Sequence, residues 1–376
     1  MKGRLWRLPA EMLLLGVLVA ASAATPAAAQ VTVRDFVITM GGSVEAYSGN
    51  FSAVTVPVVD STDHATAAVG EVATRLDLSL FEAPGRALRL EADGGVRQSA
   101  ATGFAVRDYA PREWAGSASL RYLQSVGGWG RLTTRMEVRG RSIHDRPPMP
   151  LFLQPGYLTA SGSLGMVTRS FDGVSFDASI AGENADYRAL ELIPQLDLLD
   201  RRGVALVGGA RWGTSSTVRI YGGVGWTEYP QQGSFDPADP FRRDRTVNAG
   251  VEWTHVGLML VQLGLEGTWN RSNSNRPEYD ALSFRALLNA PLPDRMSLNV
   301  FAVLTGKSYV HETDFARLVP GEEADNASIA YVQITRPLAV NLDGAVRLGW
   351  TRAETDVGNA YYRRFGASLQ FNYRPR

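Results

Sequence analysis

From Arg364 to Tyr373 the chain alternates apolar and polar residues without a break. Phe365, Ala367, Leu369, Phe371 and Tyr373 fall on one set of positions, and Arg364, Gly366, Ser368, Gln370 and Asn372 on the other. A period of two is that of an extended strand, whose successive side chains point to opposite faces. One apolar and one polar face, repeated over strands of about ten residues, predicts a barrel with lipid outside and water inside. The same alternation recurs along the chain. Its apolar sets begin with Phe36, Ile38, Met40 and Val44, then Val72, Leu76, Leu78 and Leu80, then Leu88, Leu90, Ala92 and Val96. They continue through sets such as Ala118, Leu120 and Tyr122, or Val204, Leu206, Ala210 and Trp212, to Val340, Leu342, Val346, Leu348 and Trp350. Together they predict an all-β fold: a closed antiparallel up-and-down transmembrane barrel of about 16 strands.

The links between these sets alternate in length. Short turns are predicted at Pro84-Gly85, Gly127-Gly128, Asp172-Gly173, Gly213-Thr214, His255 to Gly257, Pro291 to Asp294 and Pro337-Leu338. Longer polar links are predicted at Ser48 to His64, Arg107 to Arg112, Ile143 to Gly156, Glu191 to Arg202, Tyr229 to Arg243, Arg271 to Glu278, His311 to Asn326 and Glu354 to Gly358. Short turns on one side and long loops on the other are the habit of outer-membrane barrels. Tryptophans near strand ends, including Trp212, Trp226, Trp253, Trp269 and Trp350, suit an interfacial girdle and weigh against a soluble sandwich or propeller.

The start of the chain adds a route. Lys2, Arg4 and Arg7 precede the apolar run Met12 to Ala23, and Ala27-Ala28-Ala29 precedes Gln30. This is the order of a Sec-type signal peptide, so residues 1–29 are expected to be cleaved and residues 30–376 to form the barrel. The destination is then the outer membrane of a Gram-negative bacterium. The chain has no cysteine, which excludes disulfides and thiolate metal sites. Basic and acidic residues balance at 38 each, and mean hydropathy is -0.11. A barrel shows lipid only every second residue, so that near-neutral hydropathy is compatible with a membrane protein.

The segment Arg364 to Phe371 resembles the C-terminal signal read by the outer-membrane barrel-assembly machinery: polar, any, Gly, any, any, apolar, any, apolar. On that resemblance Gly366, Leu369 and Phe371 carry the signal, the assembly machinery is a partner, and the whole chain looks like a porin-like outer-membrane β-barrel. The sequence departs from the pattern by adding Arg374-Pro375-Arg376 after Tyr373. A looser likeness, resting on the long-strand meander and segments such as Arg271 to Asp280, is to the barrels of exopolysaccharide secretion and surface-lipoprotein assembly.

The inward positions carry the candidate chemistry. A basic wall is predicted from Arg121, Arg131, Arg135, Arg139, Arg141, Arg169 and Arg211, faced by Glu137, Asp177 and Glu183 alone. Arginine suits carboxylate and phosphate, and a water path lined by one sign concentrates the other. Structural ion pairs across neighbouring strands are the competing reading of the same residues. Tyr47, Tyr221, Tyr309, Tyr331 and Tyr362, with Phe301, offer flat inward faces for sugar rings or for packing. No catalytic set emerges: His64, His144, His255 and His311 all read as loop or turn residues, with no Ser partner in mid-strand. The chain is therefore not expected to be an enzyme. His144-Asp145 is the one acid/base candidate, at the rim. The acidic stretches Asp60 to His64 and Glu322 to Asp325 lack the ligand spacing of a cation loop. No metal, cofactor or nucleic acid is expected.

These features predict a conduit, with an anionic polysaccharide for export as the leading cargo and small anionic solutes as the alternative. A lipoprotein-assembly or adhesion barrel stands third. Outer-membrane lipid, lipopolysaccharide and separate periplasmic export components are the expected partners.

Overall fold

A computed structural model describes residues 31–49, 65–102, 110–145, 156–188, 199–235, 237–274, 278–310, 328–354 and 361–375. The expected leader lies outside the described residues. So do Asp60 to His64, His311 and Glu322 to Asp325.

Sixteen antiparallel strands close into one barrel in chain order. They are β1 (Thr32–Gly49), β2 (Ala65–Ala83), β3 (Arg86–Thr102), β4 (Arg112–Val126), β5 (Gly130–His144), β6 (Gly156–Thr168), β7 (Val174–Arg188) and β8 (Arg201–Gly213). The ring continues with β9 (Ser216–Gly233), β10 (Phe241–Val256), β11 (Leu260–Ser272), β12 (Tyr279–Pro291), β13 (Ser297–Tyr309), β14 (Ser328–Ala339), β15 (Leu342–Glu354) and β16 (Tyr361–Tyr373). β1 pairs with β16 from Ile38 opposite Tyr373 to Gly49 opposite Tyr362, so no edge is left open.

The alternation places its apolar set outside. Val44 is 65% exposed, Leu206 43% and Leu369 49%, values that only lipid makes favourable for a continuous belt. Exposed tryptophans sit at two heights. Trp212 and Trp253 lie toward the short-turn end of the barrel, and Trp226 and Trp269 toward the loop end. That is the pair of aromatic girdles a bilayer imposes.

Local chemistry explains the turns. At Pro84-Gly85, which joins paired Ala83 and Arg86, proline sets the first central φ and Gly85 takes φ 75° at the second, as a type II turn requires. Asp172 and Gly173 both have positive φ, 49° and 83°, and Phe171 and Val174 exchange backbone hydrogen bonds of 2.8 and 2.9 Å around them. This is the Asp-Gly hairpin turn that matches strand twist.

Three predicted details are corrected. A bulge between Ser79 and Phe81 sets Phe81, not Leu80, opposite Leu88. Pro337-Leu338 is no turn: β14 continues to Ala339 through an irregularity between Pro337 and Ala339, and Val340 and Asn341 make the turn. Proline is tolerated there because a bulge needs no ladder donor from it. The link predicted from Tyr229 to Arg243 is shorter, since β9 runs on to Gly233 and β10 begins at Phe241.

Candidate functional site in the barrel lumen

The polar tooth of each strand faces the lumen, and the lumen has two unlike walls. On the loop-end half of the first wall, Glu45 of β1 is 6% exposed and gathers three neighbours. Arg97 on β3 donates from Nη2 at 2.6 Å, Arg364 on β16 lies at 3.7 Å, and the Tyr47 hydroxyl donates to its other oxygen. Arg97 also reaches Glu71 and Glu113, each at 3.7 Å. Arg141 donates to Glu113 at 2.8 Å, and Gln370 to Glu71 at 2.5 Å. One lattice of charges therefore ties β16, β1, β2, β3, β4 and β5 across the seam where the ring closes.

Toward the short-turn end of the same wall, register sets Arg89 opposite Arg121 and Arg121 opposite Arg135. Three arginines thus stand side by side on adjacent strands. Arg121 approaches Glu91 at 3.7 Å, and Arg135 and Arg139 share Glu137, the former at 3.2 Å. Arg89 has no ion pair among the described residues, and its Nε is buried without a hydrogen-bond partner. Like charges directly opposite each other are unfavourable across strands unless water or an anion lies between them.

The predicted basic wall is thereby revised. Arg121, Arg135, Arg139 and Arg141 all have carboxylates. Glu113, not among the acidic residues predicted to face this wall, is on β4 and supplies one of them. Arg169 is not on the wall, because β6 ends at Thr168 and the chain turns; its backbone N–H donates to Trp129 at 2.8 Å. Arg131 and Arg211 remain inward, exposed and without an ion pair among the described residues. Arg211 stands opposite Arg219, which binds Asp177 through Nη2 at 2.5 Å and Nε at 3.0 Å.

The second wall is built from small side chains. Ser161 and Ser163 on β6, Ser179 and Ala181 on β7, Gly203 and Ala205 on β8, and Gly223 and Gly225 on β9 occupy successive inward positions. Such residues leave space beside the charged wall, which β6 adjoins.

The predicted aromatics divide by environment. Tyr47 is 5% exposed and holds Glu45, so it is a brace rather than a platform. Tyr221 lies across Gly250, where a Cβ would fall 2.6 Å from its hydroxyl, and donates to Glu266 at 2.8 Å with Arg219 4.7 Å from its ring centre. Tyr331 stacks on Phe301 at 5.3 Å, under Arg347. Tyr309 meets Tyr279 edge-on at 6.5 Å beside Lys307. The Tyr362 side chain lies outside the described residues.

The sequence reading missed Tyr157, Tyr187, Tyr229 and Tyr279, which together with Arg201 and Arg242 bring aromatic and cationic groups to the loop end. Tyr229, Arg201 and Arg242 sit in stretches read as links, and Tyr157, Tyr187 and Tyr279 at strand ends beside links, so their alternation was hidden.

Two histidines also move from turn to strand. His144 ends β5, 3.5 Å from Ser142 Oγ, while Asp145 accepts from the Ala110 N–H at 2.6 Å rather than pairing with the imidazole. His255 lies on β10 with Nδ1 2.8 Å from Ser216 Oγ, stacked on Trp253. Among the described residues no carboxylate orients either ring, so neither pair completes a triad. Of the assembly-signal residues, Leu369 and Phe371 face lipid and Gly366 faces inward, where a Cβ would lie 3.6 Å from Glu45 Cγ. Beyond Tyr373, Arg374 pairs with Asp343 and closes the end of β16.

A closed sixteen-strand barrel with an apolar belt, paired tryptophan girdles and a polar lumen is the architecture of an outer-membrane β-barrel protein. No family model matches the sequence, and no curated protein matches it either. Solved structures do. One described as a bacterial polysaccharide outer membrane secretin aligns over 90% of this chain and 99% of its own, at 9% identity and a TM-score of 0.39. The TodX monoaromatic hydrocarbon channel, as a deltaS2 mutant, aligns over 90% of each chain at 8% identity and 0.43. The COG4313 outer membrane channel from Pseudomonas putida F1 aligns over 94% of this chain and all of its own (100%) at 12% identity and 0.34.

Proposed function

We propose that this barrel is an outer-membrane conduit for anionic material, and that its leading cargo is an anionic polysaccharide moving outward. The observation that carries the reading is the row Arg89, Arg121 and Arg135 on three adjacent strands, continued round the ring from β6 by a stretch of small inward residues. Three guanidinium groups held side by side in a wet lumen favour an anion in front of them, and arginine matches carboxylate and phosphate by its planar fork. The small wall beside it leaves width for a chain of sugars. In this reading a Sec-type leader delivers the protein, the barrel-assembly machinery inserts it through Gly366, Leu369 and Phe371, and separate periplasmic components feed the short-turn end.

A passive porin for small anionic solutes is the second reading. It draws on the carboxylates beside Arg121 and Arg135, which leave a weaker field than a bare basic wall would. One set of measurements separates the two. Replacing Arg89, Arg121 and Arg135 together by Gln should move the reversal potential in a salt gradient away from anion preference, and surface anionic polymer should fall in a strain that depends on this barrel. A changed reversal potential with unchanged surface polymer selects the porin. A reversal potential equal to that of the parent removes the anion path altogether.

A further inference from the structure

A depression of about 720 Å³ runs across the outer face of the barrel from β5 to β11. It exists because the lipid-facing positions of its floor are small: Ala160, Gly162 and Gly182 lie between the bulkier Val138 on one side and Val204 and Trp226 on the other. Barrel strands are tilted, so a row perpendicular to them climbs as it goes round. Val138 is in the middle of β5, whereas Arg271 at the far end of the depression is next to the last residue of β11. The depression therefore rises from the apolar belt to the loop-end rim.

Its upper end is basic. Arg202 and Arg243 share the carboxylate of Glu228, Arg243 at 3.2 Å, and Arg243 also reaches Asp239 at 2.9 Å. Arg245 stands directly opposite Arg271 on the neighbouring strand. Arg271 reaches Asp280 at 2.8 Å and Glu278 at 3.9 Å, but Arg245 has no ion pair among the described residues and is the free charge of the pair. Register places Arg245 beside Trp226, so this charge lies at the height of the loop-end girdle. Two facing arginines at a bilayer interface repel each other unless an anion bridges them.

We propose that this groove seats a phosphorylated glycolipid of the outer leaflet, with acyl chains over Ala160, Gly162 and Gly182 and a phosphate held between Arg245 and Arg271. The polarity of the groove matches such a lipid end to end, apolar toward mid-membrane and cationic at the headgroup level. The site rests on the outer-membrane orientation given above, with the loop end outward. It is independent of what the lumen carries.

The probe is bis-phosphorylated lipid A, added to the full barrel in detergent and followed by native mass spectrometry, beside its dephosphorylated form and phosphatidylglycerol. The parent should retain the bis-phosphorylated lipid. Removing its phosphates, or replacing Arg245 and Arg271 together by Gln, should weaken retention on the order of tenfold. Ala160→Trp, which fills the floor and leaves the arginines in place, should weaken it as well, and decides the matter if the double variant fails to fold. Equal retention of all three lipids, or retention by the folded variants like that of the parent, overturns the site. Lumen reversal potentials recorded on the same variants should not change, which keeps this result apart from that of the anion path.

Discussion

The two walls of the lumen use the same alternation for opposite ends. From β16 through β5 the inward tooth carries long charged side chains, and Glu45, Arg97 and Glu113 knit six strands together. From β6 through β9 it carries Ser, Ala and Gly at corresponding heights. A barrel wall needs its hydrogen-bond ladders and its apolar exterior, and both halves have these. Side chains beyond that are free to brace or to stay out of the way. The charged wall lies where the ring must be closed, and the small wall where the path needs room.

The largest effect should come from breaking the ring that carries both walls. Phe371→Asp puts a charge on the lipid face of the closing strand, a cost of up to about 2–4 kcal/mol at mid-membrane, and spoils the C-terminal pattern. Membrane insertion should fail while export to the periplasm continues, as fractionation would show; normal membrane levels would refute the role given to that residue. Next comes the charged wall itself. Glu45→Ala leaves Arg97 and Arg364 facing each other without their shared carboxylate, and should cost about 3 kcal/mol. The measurement is the urea midpoint of the refolded barrel, and an unchanged midpoint would mean the lattice does not brace the seam.

The small wall should respond in transport rather than stability. Ser163→Trp should narrow the path and lower single-channel conductance, with the urea midpoint nearly kept; parental conductance would show that the path runs elsewhere. The smallest effect is expected from Ser179→Ala, within about 0.5 kcal/mol, since the hydroxyl is inward and exposed. A larger loss there would erase the contrast between the walls.

The barrel and the face of nearly every strand were legible because lipid and water impose a period of two that short turns punctuate. The ion pairs were not. Arg141 meets Glu113 and Arg97 meets Glu45 only once the register and the tilt are known, and these depend on turns that sequence places to within a residue or two. Glu113 was lost because the apolar alternation of its strand becomes regular only at Ala118, past the start of β4 at Arg112. Its recovery changes the meaning of Arg141 and Arg97. Leu80 and Pro337 misled for a related reason: a bulge shifts the phase without a sequence mark of its own.

The pairing of β1 with β16 brings Thr39 within 2.8 Å of Asn372, 333 residues along the chain. Few contacts span more of a chain of 376 residues. The first strand can pair with β2 at once, but its other edge must wait, unpaired, until the last strand has emerged. Until then it offers an open template to any extended segment nearby. The lattice around Glu45 then acts as a latch that sets only on the final step, so weakening it should delay maturation more than it loosens the finished barrel.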